Sequence, residues 1–281
     1  MTKNLKSTAS WESKQTRRSG WDSRARAYHK YQGKVSAQAV GPLLDAVGIA
    51  ADGASAGQRV LDVATGPGYA AGEAARRGAR VMGLDFAPAM VALASRNFPE
   101  VAFLEGDGDH LPFADDAFDA VICCFGMPQM ALPERVIAEA HRVLSPGGRY
   151  GFTLRAGKAR DPNKQMVYAA VQAHGEADVA LPPAGSDSGL RDPAKYEALL
   201  AAAGFTGIEI SEVPVVWRPQ TEQEILDTVY NGSRSSRLLE RQNPQAREKI
   251  DRAILEFAAR FKVVEGFKIP RLAVLLAARK T

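Results

Sequence analysis

The 281 residues include only two cysteines, Cys123 and Cys124, and they are neighbours. A bridge between adjacent residues is strained and two thiols make no zinc cluster, which excludes a disulfide framework and a cysteine-based metal site. No metal site is expected, and a reducing compartment, the cytoplasm, fits. Long apolar runs are also missing. The stretch from Leu272 to Ala278 is seven residues, against roughly 18 for a helix that spans a bilayer. Basic residues are scarce in relative terms outside the amino end. Residues 1–34 hold five Lys and four Arg against Glu12 and Asp22, while the whole chain carries +4, so the remainder is mildly acidic. That basic start lacks an apolar signal core. It reads as a solvated tail leading into an amphipathic helix that carries Trp21, Tyr28 and Tyr31.

What the sequence does hold is alternation. Between residues 58 and 156 short β-rich runs take turns with helical patterns: strands at Arg59–Ala64, Ala79–Asp85, Val101–Glu105, Phe118–Gly126 and Arg149–Arg155, helices at Tyr69–Arg77, Pro88–Asn97 and Pro133–Leu144. Such alternation predicts βαβ units and a parallel sheet. Ser145-Pro146-Gly147-Gly148 is expected to stop the third helix in a turn. Asp192-Pro193 caps a further helix, Ile208–Trp217 and Lys268–Ala278 read as strands, and residues 219–262 read as two helices opening at Thr221-x-x-Glu224 and Asn243-Pro244. The expected fold is therefore α/β: a Rossmann-like seven-stranded mixed sheet with helices on both faces, plus helical lid additions. Its parts are an amino-terminal cap (1–57), the core (58–156), a variable insertion (157–191) and a completing segment (192–281).

Val60-Leu61-Asp62-Val63-Ala64-Thr65-Gly66-Pro67-Gly68-Tyr69 is an apolar strand ending in an acid and a Gly-containing turn that opens a helix. Turns of this kind lie where open α/β sheets bind ligands. The spacing Gly66, Gly68, Gly72 departs from the dinucleotide fingerprint by one residue, so a nicotinamide-dependent oxidoreductase is one reading. The next two strands also end in acids, Asp85 and Asp107. Three carboxylates on adjacent strand tips repel one another unless they face donors. Asp85 can accept both hydroxyls of a ribose, Asp107 an exocyclic adenine amine, and Asp62 suits an ammonium group. A pyrophosphate is less at home on such a rim.

Together with Gly83-Leu84-Asp85 and Met90, Gly106-Asp107 followed by Leu111-Pro112-Phe113, and Arg142-Val143-Leu144-Ser145-Pro146-Gly147-Gly148, these residues resemble the class I S-adenosylmethionine-dependent methyltransferases, in the branch containing the ubiquinone and menaquinone C-methyltransferases. The resemblance covers residues 58–156. It implies S-adenosyl-L-methionine as cofactor, with Asp62, Ala64, Gly66, Pro67 and Gly68 along its methionine part and Asp85 on the ribose. Phe86 would flank the adenine, Asp107 and Gly108 would read its edge, Cys124 would touch the cofactor from the end of the fourth strand, and Met90 and Phe125 complete the cofactor-binding set. An aromatic residue of the first helix, here Tyr28, would cover the methionine carboxylate. Ala64 stands where the family usually has glycine. Met127-Pro128-Gln129 replaces the motif of amino-methylating nucleic-acid enzymes, which disfavours nucleic acid as substrate, although the basic first 34 residues leave a nucleic-acid-binding protein as an alternative.

Methyl transfer is an in-line displacement that needs chiefly positioning. An acidic acceptor also needs a base, and His29, His110 and His174 are the candidates, whereas His141 reads as structural. The added segments mix Met166, Val167, Tyr168, Val171, Tyr230, Leu238, Leu239 and Phe257 with Arg155, Arg160, Arg234, Arg237 and Arg241. Closed over the sheet, they favour an apolar or aromatic small molecule with an acidic group; as ordinary helix cores they carry no such message. A monomer or a homodimer is compatible with all of this.

Overall fold

Seven strands hydrogen-bond in the order β3-β2-β1-β4-β5-β7-β6: β1 (Arg59–Val63), β2 (Arg80–Asp85), β3 (Ala102–Glu105), β4 (Phe118–Cys124), β5 (Leu144–Arg155), β6 (Phe205–Trp217) and β7 (Ile269–Lys280). The first five are parallel, and β7 runs antiparallel between β5 and β6. The computed structural model describes residues 18–52, 56–157, 160–176, 191–231 and 236–281. Because the chain moves outward from β1 to β3 and then crosses back to β4, the strand order reverses between β1 and β4. Connections diverge there and leave a crevice at the carboxyl ends of those two strands.

Helices cover both faces of the sheet. Residues 18–27 form α1 and continue through one π-helical stretch, Tyr28–Gly33, into α2 (Lys34–Ala37) and α3 (Val40–Ala46). Then come α4 (Tyr69–Arg76), α5 (Pro88–Asn97), α6 (Pro133–Val143), α7 (Pro162–His174), α8 (Pro193–Ala202), α9 (Glu222–Asn231), α10 (Ser236–Glu240) and α11 (Pro244–Ala258). The two-residue period of a strand sorts the core. In β4, Ala120 and Ile122 join α3, α4, α7, α9 and α11, while Val121 and Cys123 join α6 and α8 on the opposite face.

Two expectations are revised, at β5 and at residues 219–262, and the insertion between them gains a defined helix. The chain enters β5 at Leu144, not at Arg149: Leu144 pairs with Phe118, and Gly147, at φ +80°, takes up the bend inside the strand instead of ahead of it. The insertion after residue 157 contains α7, whose first turn is capped by the Asp161 carboxylate accepting from Asn163 N at 3.2 Å. Among the described residues the segment 219–262 holds three α-helices, since α10 intervenes between the two that the caps announce. Those caps form: Thr221 Oγ1 accepts from Glu224 N at 3.1 Å and Asn243 Oδ1 from Ala246 N at 2.8 Å.

Phe98 closes α5 against the loop that follows β1. Its ring fills space vacated by two glycines: a Cβ at Gly68 would stand 2.9 Å from it and a Cβ at Gly72 only 2.1 Å. Gly72 has an ordinary helical conformation, so Ala there gains about 1 kcal/mol in helix propensity. Driving the Phe98 ring out of its slot costs about 1–3 kcal/mol and outweighs that gain. Gly72→Ala is therefore expected to lower Tm by a few degrees, measured by differential scanning calorimetry; an unchanged or raised Tm would show that the ring is not held there.

Candidate functional site

The loop from β1 to α4 follows a left-handed path, with φ +56° at Ala64, +55° at Gly66 and +85° at Gly68. Two buried carboxylates hold it. Asp62 Oδ2 accepts from Thr65 Oγ1 at 2.7 Å and from Ala71 N at 3.1 Å. Asp85 Oδ2 accepts from Gly66 N at 2.9 Å, and its Oδ1 from Ala87 N at 3.0 Å. Burial pushes both carboxyls up, Asp62 to about 7 and Asp85 to about 6, against the hydrogen bonds that favour their charged forms. Asp62 Oδ1 is buried without a hydrogen-bond partner among the described residues.

Above the loop lies a cleft of about 980 Å³, its open mouth included. Eleven of the residues named from sequence line it: Tyr28, Ala64, Gly66, Pro67, Asp85, Phe86, Met90, Asp107, Gly108, Cys124 and Phe125. Asp62 and Gly68 do not. Asp62 lies beneath the loop, fully buried by the groups it holds, and Gly68 faces Phe98, Ala94 and Phe103. Further walls come from α1–α3 (Trp21, Ser36, Ala37, Val40), from the start of α4 (Tyr69, Ala70) and from the segment after β4 (Gln129, Met130, Ala131). Trp21 and Tyr28 stand seven residues apart, which puts them on one helical face, a signal that sequence reading could have used. Their rings meet edge to face at 5.5 Å. Asp22 fastens α1 to α5 by accepting from Ala89 N at 3.0 Å, in the first turn of that helix.

Of the three candidate bases, His29 sets its ring against a wall residue. Its Nδ1 stands 2.9 Å from the Tyr69 hydroxyl, with the two rings stacked at 5.7 Å. Gly33 makes this fit possible: a Cβ there would lie 2.7 Å from the Tyr69 ring. Burial raises the Tyr69 phenol above its ordinary value. His110 is exposed, bridging back to Asp107 at the rim, and His174 is exposed in the last turn of α7, whose buried face is Met166, Val167, Ala170 and Val171. Neither lines the cleft. His141 packs edge-on against Phe205 at 4.9 Å.

The added helices use their apolar residues on one another and on the sheet, so those side chains do not line the cleft. Arg160 pairs with Glu212 on the surface and Arg241 is exposed; Arg234 and the Arg237 side chain lie outside the described residues. Arg155 reaches the walls, donating from Nη2 to Ser36 Oγ at 2.9 Å. Burial pushes the Cys124 thiol up to about 12 and that of Cys123 higher still, which leaves neither reactive.

Residues 61–152 match the family described as methyltransferase domain. The chain is similar to that family over this segment. Over 97 residues it is 44% identical to a demethylmenaquinone methyltransferase of Renibacterium salmoninarum, covering 34% of this chain and 41% of that protein. Over 98 residues it is 49% identical to one of Thermus thermophilus, covering 33% and 44%. The matched part thus spans less than half the length of these relatives. Among solved structures, the fold resembles Haemonchus contortus phosphoethanolamine N-methyltransferase 2 in complex with phosphomonomethylethanolamine and S-adenosylhomocysteine. That likeness has a TM-score of 0.51 at 20% identity, covering 85% of this chain and 51% of that one. It is a likeness of fold.

The matched segment thus holds two acids whose folded values, about 7 and about 6, lie above the ordinary 3.8. A raised acid stabilises the fold in its protonated form, so that contribution is complete below about pH 4 and is lost as pH rises through about 6 to 7. Tm of the ligand-free protein is therefore expected to fall between about pH 5 and about pH 8. Asp62→Asn keeps a carbonyl for Thr65 and Ala71 and is expected to flatten that slope in a thermal-shift series. An unaltered slope would rule Asp62 out as its source.

Proposed function

We propose that this chain transfers a methyl group from S-adenosylmethionine to a small apolar or aromatic molecule. Asp85 carries the reading. Each of its oxygens already accepts one backbone N–H, and each retains a lone pair for a donor in the cleft. Two adjacent hydroxyls of a ribose meet that demand, Phe86 and Met90 offer apolar surface beside it, and Asp107 and Gly108 offer the hydrogen-bonding edge that an adenine requires. A dinucleotide is less well served. The acidic rim opposes a pyrophosphate, and the third glycine, Gly72, makes room for Phe98 and not for a phosphate.

Bound in the cleft, S-adenosylmethionine supplies an electrophilic methyl on sulfur. The protein's part is to hold the acceptor in line, exclude water and take up a proton where the acceptor releases one. The first helices close the cleft from above with Trp21 and Tyr28. Tyr69 is suited to receive the acceptor's proton on its hydroxyl oxygen while passing its own to His29 Nδ1, so His29 acts as the base through Tyr69. His110 and His174 have no part in this reading. The names of the relatives support an aromatic, quinone-like acceptor, while α1–α3, which supply four of the walls, lie outside the residues of the family match.

Isothermal titration calorimetry tests the donor. S-adenosylhomocysteine is expected to bind in the micromolar range and NAD not to bind; Asp85→Ala is expected to weaken the former about a hundredfold, the loss of two hydrogen bonds to a charge. Donors on Asp85 favour its carboxylate form, so binding near pH 6 is expected to release a proton, read from heats in two buffers of different ionisation enthalpy. Unweakened binding by the Asp85 variant would overturn the assignment. With an acceptor found by a labelled-methyl screen, Tyr69→Phe is expected to lower kcat about a hundredfold or more, with S-adenosylhomocysteine affinity within about twofold. An unchanged kcat would remove the Tyr69–His29 pair from the chemistry.

A further inference from the structure

Single π-helical turns inside a helix are rare and recur at functional sites. The one at Tyr28–Gly33 sets two of its residues against different neighbours. His29 meets Tyr69, and the buried Gln32 accepts on Oε1 from Arg271 Nη1 at 2.9 Å. In an α-helix, residues three apart project within about 60° of each other. A wider turn opens that angle, so that one helix reaches Tyr69 of α4 with His29 and Arg271 of β7 with Gln32.

Gln32 is tied to a firm point. Arg271 is buried, and its Nη2 donates to Oδ2 of the equally buried Asp161 at 3.1 Å, while Asp161 Oδ1 accepts from Asn163 N in the first turn of α7. The chain Gln32–Arg271–Asp161 thus joins the turn to a strand and a helix. Burial first, then the guanidiniums of Arg155 and Arg191, bring Arg271 below its ordinary value, with Asp161 opposing them. A buried cation among like charges needs an acceptor for its N–H groups, and the Gln32 amide oxygen is one. Tyr31, next to Gln32, donates to Asp227 Oδ2 of α9 at 3.2 Å, a contact half-buried on both sides and so the weaker hold.

We infer that Gln32, fixed by the buried Arg271–Asp161 pair, keeps this turn π-helical and thereby holds His29 Nδ1 on the Tyr69 hydroxyl. Gln32 and Arg271 are positioning residues, since neither lines the cleft. The catalytic consequence rests on the proposed function, in which Tyr69 and His29 take up the acceptor's proton: without Gln32 the base is present but turned away from the group it serves.

Nuclear Overhauser contacts between the ring protons of His29 and Tyr69, recorded on the ligand-free protein with only His and Tyr protonated, read the hold directly. Gln32→Met removes the amide while keeping length and helix propensity, and Gln32→Glu keeps an acceptor oxygen and sets a charge opposite Arg271. The contacts are expected in the wild type and in Gln32→Glu and are lost in Gln32→Met. Their absence from the wild type, or their persistence in a folded Gln32→Met variant, overturns the inference. Should that variant not fold, Gln32→Asn, which draws the amide back by one carbon, carries the same test. With the acceptor from the labelled-methyl screen, Gln32→Met is expected to lower kcat about tenfold or more and Gln32→Glu to restore it; in the Tyr69→Phe background Gln32→Met changes kcat by less than about twofold. An equal loss in both backgrounds marks Gln32 as structural only and also overturns the inference. If the contacts vanish in Gln32→Met while its kcat matches the wild type, the turn is held as inferred and the Tyr69–His29 pair of the proposed function falls instead. The ligand-free spectra decide the hold with or without an acceptor in hand.

Discussion

The top of the sheet depends on two buried carboxylates, one sealed beneath a loop and one at the floor of the cleft. Asp62 and Asp85 end neighbouring strands, and between them they accept the N–H and O–H groups that keep the β1–α4 loop in its left-handed path. That path is unfavourable at Ala64, where a side chain at positive φ costs about 1 kcal/mol, and it persists because both ends of the loop are tethered. The same burial that makes the tethers strong raises the energy of their charged forms. The protein thus keeps an unsaturated, desolvated acceptor at the floor of its cleft, a condition that a bound polyol relieves and an empty cleft does not.

Above this floor the cleft has two unlike ends. The end near β2 and β3 is built by the part of the chain that matches the methyltransferase domain. The other is roofed by α1–α3, where Tyr28 opens the π-helical turn that also brings His29 onto Tyr69 and Ser36 follows it. An added residue in a helical turn rotates everything ahead of it relative to everything behind, which lets one helix aim Tyr28 and Ser36 at the same spot. Folds are shared widely and sites are not. The walls most specific to this chain are those with the least in common with its relatives.

How much of this was legible beforehand follows from the range of the interactions involved. Strand and helix alternation, the β1–α4 loop and the acids at strand tips are local patterns, and eleven of the thirteen residues named for the cofactor line the cleft. Asp62 was placed one layer too high because sequence spacing shows that an acid ends a strand but not whether the following loop folds over it. Ser36 and Tyr69 went unnoticed since nothing near them in sequence marks them; their meaning comes from Arg155 and His29, 119 and 40 residues away. The apolar residues of the added helices were ambiguous between pocket and core, and only packing decides that question. The Gly147 bend inside β5 was missed for the same reason, since pairing with β4 overrides the local turn signal.

The position of β7 has a kinetic consequence. It lies between β5 and β6, although β6 comes first along the chain and has no other strand to pair with. Until β7 docks, β5 presents an open edge and β6 waits alone, separated from its eventual partner by the helices α9–α11. Closing that distance is slow in proportion to the loop it spans. The interval is when unpaired strand edges are most prone to join those of other molecules, so aggregation during refolding should depend more on how fast β7 inserts than on the stability of the finished sheet.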